Sequence, residues 1–334
     1  MSALPVLVGL LPVLTFLAAL LFLDSYKLVK LRAVVTVVAT GIVVAGASYA
    51  FNAVALSRTG IEFTAFSRYV APLTEELLKG LVIVALIRAH RIGFLVDAAI
   101  FGFAVGTGFA MLENLHYLSL FPGAGMGTWI VRGFGTALMH GGATAIFAVM
   151  GMALLERKGG KGVRAFLPGL AVAVVLHSAF NHFLLSPLVS TLGIAVVLPP
   201  LLHAVFERSE RAVGSWLGKG FDADAEMLEL INSGRLSDSP VGRYLHSLKD
   251  KFRGPVVADI LCYVRLHTEL ALRAKGILIL RENGFEAPVD AATRAKFSEM
   301  RYLEGSIGRT ALLAIQPMLH MSNKDLWQMY MLGK

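Results

Sequence analysis

Cysteine is nearly missing from this 334-residue chain: Cys262 stands alone. That excludes a disulfide framework within one chain and any cysteine-based metal cluster. Charge is scarce too. Charged residues make up 16%, against roughly 25% in ordinary soluble domains. Several motifs are also missing. No HExxH occurs, nor a GxSxG serine turn, nor a GxGD pair. A site-2-type zinc helix, a serine nucleophile elbow and an aspartyl intramembrane site are therefore absent. The net charge of +8 is not gathered into a basic patch with interleaved aromatics, so nucleic acid is not an expected partner.

What the chain does have is apolar length. Hydrophobic residues make up 56%, and mean hydropathy is +0.66. The charge that exists is unevenly spread. Residues 1–206 hold 13 Lys+Arg and 7 Asp+Glu, and residues 207–334 hold 18 and 16. The expected organisation is a membrane domain over 1–206 and a charged helical domain over 207–334. Seven apolar stretches are long enough for a hydrocarbon core of roughly 30 Å. They run near 3–23, 33–56, 68–87, 94–120, 129–155, 165–185 and 187–206. The first reads as a retained anchor. Pro199 and Pro200 predict a kink or break in the last. The fold class is thus all-α, a polytopic bundle of about seven transmembrane helices followed by a helical domain.

Alternate loops are basic. They hold Lys27, Lys30 and Arg32, then Arg88 and Arg91, then Arg157, Lys158, Lys161 and Arg164. The positive-inside rule places the amino terminus outside and 207–334 in the cytoplasm of a cell-membrane protein. With that orientation, Glu75, Glu76, Glu113, His140, His177 and Asn181 fall into one layer beneath the outer face, at 1.5 Å per residue. One intramembrane carboxylate costs about 2.5–3.5 kcal/mol on insertion scales, so ionisable residues in lipid mark function by default.

Helical spacing refines this layer. Arg132, Thr136, His140 and Thr144 repeat every four residues and form a polar stripe. His177 and Asn181 share a face, as do Glu75 and Lys79. Glu76 points about 100° away from Glu75. One carboxylate of the pair is therefore expected to face the centre. The other is expected to pair with Lys79 or a neighbouring helix. Gly102 and Gly106 lie near the face that carries Glu113 and Tyr117 and allow close helix approach. His116, His182 and His203 read as interfacial or satisfied by hydrogen bonds, Asp97 as a partner of Arg88 or Arg91, and Arg132 as a side chain running outward to the interface.

Four short motifs occur in order on successive apolar stretches: EELLK (Glu75–Lys79), FAMLEN (Phe109–Asn114), HGGAT (His140–Thr144) and HSAFN (His177–Asn181). As a set, over about 70–185, they resemble the PrsW family of intramembrane proteases, related to the CAAX-prenyl endopeptidase and bacteriocin-processing group. The resemblance implies an endopeptidase acting on membrane-embedded proteins in the bilayer, some relatives acting on membrane-anchored anti-sigma factors. It implies a glutamic-type or a metal-dependent mechanism. Glu75 or Glu76 would serve as base, assisted by Glu113. His140 and His177 would orient water or polarise the carbonyl, and Asn181 would donate to the oxyanion. In the metal-dependent form, Glu76, Glu113, His140 and His177 would hold Zn2+; in the other no cofactor is needed. A reading from a different class remains beside it: a proton-coupled transporter or channel with a Glu/His relay. A third is a membrane scaffold that signals through its cytoplasmic domain.

Residues 207–334 read as helical. A short helix is expected over Asp222–Ile231, a long one over 255–282 and another from Ala291 to about Leu319. No phosphate loop, triad or metal motif occurs there. Binding of a regulator or self-association are the expected roles.

Overall fold

The computed structural model describes residues 3–157, 162–285, 287–316, 319, 324 and 327–329. Lys158 and Lys161, two of the basic loop residues, lie outside them. All regular structure among the described residues is helical. The chain divides into two compact units, Met1–Glu210 and Arg211–Lys334.

The first unit is built around one helix. In chain order it holds α1 (Ala3–Leu23), α2 (Leu31–Thr59), α3 (Ala71–Arg88), α4 (Leu95–Leu120), α5 (Ala137–Arg157), α6 (Leu167–His182) and the start of α7 (Pro187–Asn232). Residues Val96 to Ala110 of α4 are all buried. Small side chains make that central position possible. A Cβ on Gly108 would lie 2.0 Å from the Val38 carbonyl oxygen, and one on Gly106 would lie 2.3 Å from that of His140. Backbones of α2 and α5 thus touch opposite faces of α4, the close packing that dispersion favours where lipid gives no hydrophobic drive. The outer surface exposes Val43, Leu81, Val175 and Val196, side chains suited to lipid.

Among the described residues, six helices are long and apolar enough to cross a membrane. The α3 helix is not one of them. Its 18 residues span about 27 Å, but Glu75, Glu76, Lys79 and Arg88 lower its apolar content. The expected bundle of about seven is therefore these six together with α3. Two helices are entered through π-helical segments: Phe66–Val70 before α3 and Val131–Thr136 before α5.

The chain does not break at Pro199–Pro200. The α7 helix runs unbroken for 46 residues with both prolines inside. Proline's fixed φ is itself helical, and two adjacent prolines remove donors within a single turn, leaving the remaining bonds to carry the axis. The helix expected over Asp222–Ile231 is consequently the end of α7. It stops at Asn232, and Gly234 follows with φ of +73°.

In the second unit, α8 (Pro240–Ser247), α9 (Gly254–Glu282) and α10 (Ala291–Ile315) follow. Val257, Ile260, Val264 and Leu270 of α9 are buried; Leu261 of the same apolar run is exposed. Lys275 is buried and pairs with Asp224 at 2.5 Å. His267 is buried beside it, and desolvation with the nearby Lys275 charge lowers its pKa to about 4.

Candidate active site

The α3 helix brings two carboxylates to the bundle interior in different ways. Glu76 is 2% exposed. Its Oε1 accepts from Lys79 Nζ at 2.5 Å and from His177 Nδ1 at 2.9 Å. Lys79 is itself fully buried. It also donates to His140 Nδ1 at 3.0 Å and lies 4.6 Å from the centre of the Phe109 ring. Glu75 faces elsewhere. Its Oε1 accepts from Asn52 Nδ2 at 3.3 Å, and the Asn52 carbonyl accepts from Thr74 at 2.7 Å. The other Glu75 oxygen lies 3.9 Å from His177 Nε2, too far for a hydrogen bond.

These partners fix the two imidazoles. An ammonium offers only hydrogens, so His140 Nδ1 accepts from Lys79. Its proton then sits on Nε2, 2.9 Å from Glu113 Oε2. His177 carries its proton on Nδ1, because a carboxylate oxygen of Glu76 faces it. Its Nε2 is left without a proton, 3.9 Å from Glu75. The rings meet edge to face with centroids 4.7 Å apart.

A third carboxylate closes the cluster. Glu113 Oε1 pairs with Arg132 Nη2 at 3.2 Å. Arg132 does not run outward to the interface as expected. Its Nε donates to Asn114 Oδ1 at 2.9 Å, and its guanidinium lies 3.7 Å from the Tyr117 ring centre. A bidentate-capable cation finds a better setting between a carboxylate, an amide and an aromatic face than at the interface. Four helices therefore contribute Glu113, His140, Lys79, Glu76 and His177 to one contiguous network, and Glu75 lies beside it, 3.9 Å from His177.

One ligand atom from each of Glu75, His140 and His177 lies within 4.8 Å of the others. The donor set suits a metal on one condition: both His140 nitrogens are engaged, Nδ1 by Lys79 and Nε2 by Glu113, so one of these partners would have to give way to an ion. Two imidazoles and a carboxylate form a familiar ligand set, and each imidazole is held by a further carboxylate, Glu76 or Glu113. Outer partners of that kind orient metal-binding histidines.

A family model described as PrsW family intramembrane metalloprotease matches residues 29–207, more than half of the chain. The chain belongs to the PrsW family. No curated protein and no solved structure matches it. As a PrsW-family protein it is a multi-pass intramembrane peptidase, and its substrates are proteins embedded in the lipid bilayer.

Some expected residues fall in unexpected places in this PrsW-family site. Asn181 follows His177 by one turn, but its amide donates to the Ser67 carbonyl at 3.0 Å, in the first π-helical segment. Of the two carboxylates, Glu76 is the one that pairs with Lys79, at i,i+3. Asp97 caps the start of α4, accepting from Gly93 and Phe94 amides at 2.9 and 3.2 Å, so the expected role beside Arg88 or Arg91 gives way to a cap. His116 packs on Tyr49, His182 on Tyr69, and His203 pairs with Glu207 on the surface. Asn52 went unread in the sequence. Its signal was an amide inside the otherwise apolar run ASYAFNAVAL.

Proposed function

We propose that this PrsW-family peptidase cleaves single-span, membrane-anchored proteins, anti-sigma-factor-type substrates among them, with Glu75, His140 and His177 as the residues that would hold a divalent ion. His177 Nε2, a Glu75 oxygen and a His140 nitrogen, the last once Lys79 or Glu113 gives it up, would suit Zn2+. When bound, such an ion supplies Lewis acidity toward water and toward the scissile carbonyl.

The chain's own residues would do the rest. Glu76 keeps the His177 proton on Nδ1 and so holds Nε2 free for the centre. Lys79 fixes Glu76 in turn. Asn52, its amide orientation set by the Thr74 hydroxyl, holds one Glu75 oxygen and leaves the second facing His177. Glu113 is the proposed general base. Its side chain is 27% exposed, against 16% for Glu75 and 1% for Glu76, so it is the carboxylate best able to meet water. It takes a proton as the water oxygen adds to the carbonyl carbon, then returns it to the amide nitrogen as the C–N bond breaks. Arg132 fixes the Glu113 carboxylate for both transfers.

One observation carries the reading: three ligand atoms converge within 4.8 Å, and each imidazole has a second carboxylate behind it. The basic loops support an amino terminus outside and a cytoplasmic 207–334 domain. That domain, in this reading, binds a regulator or self-associates. The test is purified protein in proteoliposomes with a fluorogenic transmembrane peptide. Cleavage that requires Glu113 and His177, and that a chelator abolishes, is the expected result. Proton flux without cleavage would overturn it in favour of a relay.

A further inference from the structure

The amides of two motifs, Asn114 and Asn181, both end on carbonyls of π-helical segments. A π turn reaches one residue further than an α turn: the Ala71 amide bonds to Phe66, and the Ala137 amide to Arg132. Such turns are rare; they appear mostly as single-turn bulges inside α-helices, frequently at functional sites. The extra residue re-phases everything that follows by about 100°. Downstream of the first segment lie Glu75 and Glu76. Downstream of the second lies His140.

Side chains from other helices hold both segments. Asn181 donates to the Ser67 carbonyl at 3.0 Å and Ser178 to the Arg68 carbonyl at 2.6 Å. Asn114 donates to the Gly9 carbonyl at 2.8 Å and to the Arg132 carbonyl at 3.4 Å. Ser178 and Asn181 therefore grip two successive carbonyls of the first π turn from the helix that carries His177. Asn114 grips the second from the helix that carries Glu113.

We infer that Asn181 is a positioning residue which, together with Ser178, locks the π turn before α3 and so sets the rotation that aims Glu75 and Glu76 at His177; Asn114 does the same for the turn before α5 and His140. This rests on the peptidase reading for its kinetic consequence, but not for its structural one. The hydrogen bond to Ser67 commits Asn181 to the bundle backbone, away from an oxyanion.

Ser178 separates the two roles, because its hydroxyl donates to the Arg68 carbonyl, in the π turn. Under the clamp, Ser178→Ala and Asn181→Ala each lower kcat about 10- to 100-fold at nearly constant KM, as a misplaced group does. The effects are non-additive in the double variant, and Ser178→Thr, which keeps the hydroxyl, restores turnover. Hydrogen exchange of amides 66–71 accelerates in both alanine variants. Loss of kcat in Asn181→Ala with wild-type turnover in Ser178→Ala would mark an oxyanion donor and overturn the clamp. Unchanged exchange at 66–71 overturns it too. If Asn181→Ala does not fold, the Ser178→Ala and Ser178→Thr comparison decides. Should the wild-type protein cleave no peptide, the peptidase reading fails, while the exchange experiment still judges the clamp.

Discussion

Gly106 gives the sharpest handle on the site. A Cβ built there meets the His140 carbonyl oxygen at 2.3 Å, its carbon at 2.6 Å and the Gly141 Cα at 2.7 Å. All three are backbone atoms of α5, so no flexible side chain can swing away. Ordinary contact starts near 3.4 Å. Gly106→Ala must therefore push α5 and α4 apart by about 1 Å at the residue that carries the imidazole. Overpacking of this kind costs about 1–3 kcal/mol, which a bundle of this size survives. Catalysis is less forgiving, since a displacement of about 1 Å can cost about 100-fold in rate. The expected result is a roughly 100-fold fall in kcat for the transmembrane peptide, with a folded protein by thermal melting in detergent. Gly127→Ala, where a Cβ meets nothing within 4 Å, serves as the matched control and should turn over normally. Wild-type turnover by Gly106→Ala would refute the claim that His140 is held by backbone contact with α4.

Three further outcomes follow from the described contacts. Lys79→Met leaves Glu76 with its histidine alone, and loss of one partner of a buried pair costs about 3–5 kcal/mol; Glu76→Gln/Lys79→Met should recover part of that in detergent unfolding. Glu76→Gln should weaken Zn2+ or Co2+ binding about 10- to 100-fold in equilibrium dialysis, the usual consequence of losing a residue that orients a metal-binding histidine, whereas Glu75→Gln should lose a direct ligand and more affinity; equal affinity in all three proteins would exclude the assigned ligand set. In the second unit, His267 has a folded pKa of about 4, below the ordinary 6.5, so the unfolded chain binds its proton more tightly. Stability there should fall as pH drops from about 6.5 toward 4, by up to about 3 kcal/mol, and His267→Gln should flatten the trend in amide exchange across α9.

Much of this arrangement was readable before any coordinates. Costly carboxylates in apolar runs pointed to Glu75, Glu76 and Glu113, and the ordered motifs added His140 and His177. The division of labour among them was not readable. Spacing along one helix leaves open which carboxylate Lys79 serves; its ammonium goes to Glu76, on the side from which His140 and His177 approach. Intrahelical geometry carries no information about what a neighbouring helix presents. The partners of Asn181 and Asn114 were hidden for a different reason: π turns have no residue signature, so the carbonyls they present could not be foreseen. Arg132 looked free to reach the interface only while Asn114 and Tyr117 were not known to flank it. The prolines at 199 and 200 were read by a rule for donors lost within a helix, and α7 continues through them nonetheless.

The polar interior of α3 has a consequence for biogenesis. On its own, the segment would carry three ionised groups, Glu75, Glu76 and Lys79, into hydrocarbon, at about 8–10 kcal/mol on the insertion scales. Its partners in compensation arrive from both directions along the chain: Asn52 is synthesised earlier, His140 and His177 later. A translocon releasing helices one at a time would have to park this one at the bilayer edge until the later pair emerges. Entry of α3 into lipid and assembly of the buried polar cluster are then the same event, and a nascent chain truncated before His177 should leave α3 accessible to water-soluble labels.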